Sequence, residues 1–75
     1  MKLRKIFSEM FALPESAIDD DLVLREIPLW DSMVHMMLIV RLEEAWNIQF
    51  TGDEIADLKT VADARRAIRA HGGEA

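Results

Sequence analysis

The sequence predicts a small all-α protein, a four-helix bundle of three main helices and one short third helix, with a long first loop. Apolar residues recur at helical spacing in several segments, and no segment alternates between apolar and polar residues as a strand would. A length of 75 residues predicts one domain over residues 1–75. A composition of 51 % hydrophobic and 31 % charged residues is typical of a globular chain.

The first helix and the loop after it are each predicted from apolar residues. Five of these residues follow the spacing of one helix face: Leu3, Ile6, Phe7, Met10 and Phe11. The helix should end before Pro14, because the residue preceding a proline is disfavoured in the helical conformation. Four apolar residues of the loop are expected to attach it to the core: Ile18, Leu22, Leu24 and Ile27.

The remaining helices are predicted from residues that cap helix starts. Asp31 is a favourable N-cap residue for a second helix that runs to about Trp46. Thr51 and Glu54 have the spacing of a capping box and open the short third helix. Thr60 can cap the fourth helix.

The charge distribution and the residue content exclude several functions. The net charge is −5, and residues 15–58 alone carry eleven acidic and two basic side chains, a net charge of −9. This acidic centre argues against nucleic acid and favours basic protein partners. The absence of cysteine excludes disulfides and thiol nucleophiles in the chain. No apolar segment has the length of a membrane span, so we expect a cytoplasmic protein without membrane insertion.

The second helix carries apolar residues on two opposite sides. Leu38, Ile39 and Leu42 fall on one side, as a helix that faces a core requires. Glu43 and Glu44 flank the end of the other side. That other side holds four residues that we term the apolar strip: Met33, Met36, Met37 and Val40.

Two interpretations of the apolar strip are possible. The helix is either central and buried on both sides, or it leaves the strip exposed as a docking surface. Only three other helices, one of them short, are available to cover it, which favours docking. Methionine suits such a surface, because its flexible side chain adapts to different partners. Carboxylates beside the strip favour a partner with an apolar groove and a basic rim.

Ser32 is expected to be the first residue of the second helix, with its hydroxyl in solvent. A serine nucleophile needs a base and a third group that orients this base. The only nearby candidate base, His35, falls toward the core, so we expect no catalytic activity. Ser32 fits better as a substrate of another enzyme, because a phosphate esterified there would be favoured at a helix start.

Two segments resemble a known family. The motif Asp31-Ser32-Met33 is similar to the Asp-Ser-Leu/Met signature of acyl carrier proteins and of related peptidyl carrier domains. The later segment RLEEAWNIQFTGDEIADLKTV resembles the family's Leu-Glu-Glu helix end, Ile-x-Phe connector and short third helix. The resemblance extends over roughly residues 3 to 70 and is closest to freestanding acyl carriers.

The resemblance implies that Ser32, with Asp31 in its motif, is the attachment residue for 4′-phosphopantetheine. A phosphopantetheinyl transferase would install this arm from coenzyme A, with magnesium. The thiol of the arm would carry an acyl group as a thioester, with no catalysis and no metal site in the carrier itself. The expected partners are this transferase, a ligase that loads the acyl or aminoacyl group, and downstream synthase or transferase enzymes. The carrier is expected to be a monomer.

The resemblance also implies roles for the apolar strip. Met33, Met36 and Val40 match residues that the family presents to partners, and Glu43 and Glu44 match its acidic rim. Met37 departs from the pattern, because fatty acid biosynthesis carriers commonly have an acidic residue there. We therefore expect a carrier of a specialised polyketide or lipid-like pathway.

Three questions stay open at this level. The cargo could be an aminoacyl or peptidyl group loaded by an adenylating enzyme, because the signature is shared by both kinds of carrier. The chain could also be a helical adaptor that is never modified. His35 is expected to be bonded to the long loop, although it could instead line a channel for the acyl chain.

Overall fold

Four α-helices form the fold, as the sequence predicts. The computed structural model describes residues 2–75, and within that range no strand forms. Two short 3₁₀ turns, Glu15–Ala17 and Leu24–Glu26, interrupt the long first loop. The helices are α1 (Lys2–Phe11), α2 (Ser32–Trp46), α3 (Gly52–Asp57) and α4 (Val61–Ala70).

One hydrophobic core joins the three longer helices. Helix α1 buries its predicted face except for Met10, which is half-buried, and Phe7 and Phe11 stack with ring centroids 6.1 Å apart. Helix α2 buries Leu38, Ile39 and Leu42, the predicted core side of that helix. Each large apolar side chain removed from water contributes about 1.5–3 kcal/mol to folding. Helix α4 contributes three buried residues to the core: Val61, Ala64 and Ile68.

The long first loop is attached to the core and to the start of α4. Ile18, Leu24 and Ile27 are buried, as predicted, and Leu22 packs partly against them. The amide of Leu24 donates to the carbonyl oxygen of Lys59 over 2.9 Å, beside an isolated antiparallel bridge in this region. These contacts fix the loop on the side of α3 and α4, and thereby fix the start of α2.

Capping boxes open α3 and α4. The amide of Thr51 donates to Glu54 Oε1 over 2.8 Å, and the amide of Glu54 donates back to Thr51 Oγ1 over 3.2 Å. Thr60 and Asp63 make the same reciprocal pair at the start of α4. The first box was predicted from the sequence. For the second box, the sequence predicted the cap at Thr60 but not its reciprocal partner Asp63. The usual partner at that position is glutamate or glutamine, and here it is aspartate.

The capping carboxylate of Glu54 predicts a pH dependence of stability. Its pKa is lowered by the hydrogen bond from the Thr51 amide and by that from His71, whose Nε2 lies 2.9 Å from Glu54 Oε1. A lowered folded-state pKa stabilises the fold above the unfolded pKa of about 4.3. This stabilisation is lost as the pH falls through the lower folded-state value. Glu54→Gln keeps a capping acceptor without the titration, so its melting temperature should fall less on acidification.

Melting temperatures measured from pH 7 to pH 3 check this prediction. Asp53→Asn removes a neighbouring exposed carboxylate of α3 and is the matched control, which should retain the acid sensitivity of the natural protein. If Glu54→Gln and Asp53→Asn lose stability with the same pH profile, the capping carboxylate is not the titrating group.

Candidate functional site

Asp31 sets the start of α2, as the sequence predicts. Its backbone is extended, and its Oδ1 accepts a hydrogen bond from the amide of Val34 over 2.8 Å. Its own carbonyl oxygen accepts from the amide of His35 over 2.9 Å, the first helical bond. Ser32 is therefore the first residue of a helix of 15 residues.

Ser32 is exposed, and no base is directed at it. Within residues 2–75 no hydrogen bond engages its hydroxyl. His35 Nδ1 faces the indole Nε1 of Trp30 at 3.3 Å, and His35 Nε2 lies 3.1 Å from the carbonyl oxygen of Ile55. Because an indole nitrogen only donates, Nδ1 accepts, and the ring proton resides on Nε2. His35 thus ties α3 to the loop, as expected, and cannot take a proton from Ser32.

The start of α2 can accommodate a phosphate ester. The amides of Ser32 and Met33 precede the amide that Asp31 caps, so they are among the unsatisfied donors of the helix start. These donors and the helix dipole favour an anion next to the first residue. The Asp31 carboxylate is held at the amide of Val34. An arm joined to the Ser32 hydroxyl through a phosphate therefore fits this position.

The apolar strip lies in solvent. The exposed fractions are 73 % for Met33, 49 % for Met36, 54 % for Met37 and 49 % for Val40. The interpretation that α2 is buried on both sides is therefore wrong. Leu29 in the loop is also exposed, at 55 %, which the sequence did not predict. Its position directly after a proline and before the N-cap is the signal that could have identified it.

The two glutamates predicted as an acidic rim are in different environments. Glu44 is exposed. Glu43 is half-buried, and its Oε2 accepts a hydrogen bond from the amide of Phe50 over 2.9 Å. One carboxylate oxygen of Glu43 thus holds the connector between α2 and α3. Glu44 is the member of the pair whose side chain is exposed.

Comparison with models of known protein families assigns the chain to a family. A family model described as phosphopantetheine attachment site matches residues 2–68, nearly the whole sequence. Comparison with curated proteins finds no match. No helix within residues 2–75 is long and apolar enough to cross a membrane. Proteins of the matched family are not catalysts, and a phosphopantetheinyl transferase modifies them. The chain therefore belongs to the phosphopantetheine attachment site family and is a carrier protein.

Proposed function

We propose that this protein is an acyl carrier whose 4′-phosphopantetheine arm is attached to Ser32. The observation that carries the proposal is the exposed hydroxyl at the first residue of α2, with no base directed at it. A serine in this setting is accessible to another enzyme and inert by itself. When bound, the arm supplies a terminal thiol that holds acyl groups as thioesters.

The attachment step uses the Ser32 hydroxyl as the nucleophile. Its oxygen forms a bond to the phosphorus that bears pantetheine in coenzyme A, and the pyrophosphate bond of coenzyme A breaks. Adenosine 3′,5′-bisphosphate leaves, and the proton of the hydroxyl passes to a base of the transferase. The phosphodiester formed carries a negative charge at the start of α2, where the helix dipole stabilises it by about 0.3–1 kcal/mol.

Mass spectrometry tests the proposed function. The protein is incubated with coenzyme A, magnesium and a broad-specificity phosphopantetheinyl transferase, and its intact mass is measured. One phosphopantetheine should be added, and peptide fragmentation should locate it on Ser32. A missing adduct, or an adduct on another residue, would contradict the assignment.

The apolar strip and Glu44 support a role in docking to partner enzymes. Three methionines and a valine in solvent form an adaptable apolar surface. Exposed carboxylates act mainly on the rate of association with a basic partner, and salt weakens this effect. With Met37 in the place of a carboxylate, apolar contact should contribute more to docking than is usual in the family. This balance supports a specialised pathway over fatty acid biosynthesis.

Met37→Glu should change the choice of partner. The substitution adds a charge to the apolar strip at an exposed side chain, so the fold should tolerate it. We expect binding to the native loading enzyme to weaken by roughly threefold to tenfold, while recognition by a fatty acid synthase enzyme improves. Binding of the natural protein should weaken with salt and yet persist. Affinities to both enzymes, measured over a salt series, check these outcomes.

Gln49→Glu is the matched control for Met37→Glu. It adds the same charge at an exposed residue outside the apolar strip. If Met37→Glu and Gln49→Glu behave alike toward both enzymes, Met37 does not determine specificity, and the support for a specialised pathway is lost.

A further inference from the structure

A cavity of about 300 Å³ opens between the loop ahead of α2 and helix α3. It lies close to the proposed attachment residue, because Trp30 precedes Ser32 by two residues and His35 follows it by three. Arg25 and Lys59 stand at the same cavity. The rest of its wall is formed by Leu24, Trp30, His35, Ile55, Ala56 and Leu58.

The wall of this cavity is mainly apolar. The polar atoms of its two ring side chains are already used, since Trp30 Nε1 donates to His35 Nδ1 and His35 Nε2 donates to the carbonyl oxygen of Ile55. The two rings meet edge to face with centroids 5.9 Å apart. Away from Arg25 and Lys59, a ligand in the cavity would therefore contact rings and aliphatic side chains.

Of the two cations at this cavity, Arg25 lies within the acidic centre of the chain and Lys59 directly follows it. Residues 15–58 contain two basic side chains, Arg25 and Arg41. Arg41 is paired with Glu9, at 2.8 Å from its carboxylate. Arg25 and Lys59 are exposed, and within residues 2–75 neither makes an ion pair. Among the described residues 2–75, no carboxylate lines the cavity. Two unpaired cations beside an apolar wall are complementary to an apolar ligand with an anionic end.

We propose that this cavity holds a short acyl cargo that ends in a carboxylate, such as a dicarboxylic acyl group of about five carbons. Its methylenes pack against Trp30 and Leu58, and its carboxylate lies between Arg25 and Lys59. The size is sufficient, since an apolar cavity of about 150 Å³ already accepts benzene. The inference rests on the proposed function, because the arm on Ser32 brings the cargo to the cavity.

The test compares cargoes that differ in the terminal carboxylate. A phosphopantetheinyl transferase loads the protein from glutaryl, pentanoyl or unacylated coenzyme A, and intact mass confirms each product. The readouts are the indole N–H signals in ¹H–¹⁵N spectra and the melting temperature. Glutaryl should shift the Trp30 signal and raise the melting temperature by roughly 2–4 °C over pentanoyl. The Trp46 indole donates to Glu74 at the far end of α2 and should not move.

Substitutions at the rim complete the test. Arg25→Gln combined with Lys59→Gln should abolish the difference between glutaryl and pentanoyl, whereas Lys5→Gln, an exposed cation of α1, should preserve it. Equal responses to the two cargoes would overturn the proposal. A full response in the unacylated form would overturn it too, and would assign the cations to the phosphodiester of the arm. Failure to load any cargo would show in the mass and would instead overturn the proposed function.

Discussion

Ser32→Ala should abolish phosphopantetheine attachment completely. The transferase needs the hydroxyl oxygen as its nucleophile, and alanine offers none. The fold should be almost unchanged, because Asp31 still caps α2 through the amide of Val34 and the Ser32 side chain is exposed. Intact mass after reaction with coenzyme A should show only the unmodified chain. A melting temperature close to that of the natural protein would show that the loss is chemical and does not result from unfolding.

The other two serines of the chain serve as controls. The Ser8 hydroxyl donates to the carbonyl oxygen of Leu13, so it is engaged in holding the end of α1. Ser16 is exposed, but it lies in the 3₁₀ turn Glu15–Ala17 and has no docking helix after it. Ser16→Ala is therefore the matched control and should accept one arm. An arm that is still attached to the Ser32→Ala protein would show that the attachment residue lies elsewhere.

Local sequence signals were sufficient to predict the four helices and to place Ser32 at the start of α2. Asp31 defines the start of α2 because its short side chain reaches a free amide of the first turn. The exposure of Met36 followed from periodicity, since the opposite side of α2 was needed for the core. Both features depend on residues within one helix, where spacing along the sequence determines the geometry.

Contacts between distant segments could not be predicted in this way. The bond from the Phe50 amide to Glu43 depends on how the chain turns after α2. The sequence therefore assigned Glu43 only to the acidic rim and did not predict its bond to the connector. The cavity beside Trp30 likewise depends on how α3 packs against the loop, and Arg25 and Lys59 both line it although 34 positions separate them (59 − 25). The periodicity of apolar residues does not predict which distant residues lie close together in the fold.

Leu42→Ala and Met36→Ala should separate stability from docking on the same helix. Leu42 is fully buried, so truncation removes its transfer free energy and leaves a cavity, at a cost of about 2–5 kcal/mol. Met36 is about half exposed, and its truncation should cost less than about 1 kcal/mol. Free energies of unfolding from urea titrations measure both effects. Because small domains are only marginally stable, the loss at Leu42 should be a large share of the total.

The docking role of the apolar strip is decided by a second measurement on these two variants. Each is reacted with coenzyme A and the transferase at a low temperature, where most of the Leu42→Ala chains are folded. Met36→Ala should slow the transfer several-fold although its stability is retained, because the substitution removes a contact made only in the complex. Leu42→Ala should react almost normally, since its strip is intact. Equal losses of stability in the two variants would instead place Met36 in the core and remove the basis for a docking surface on α2.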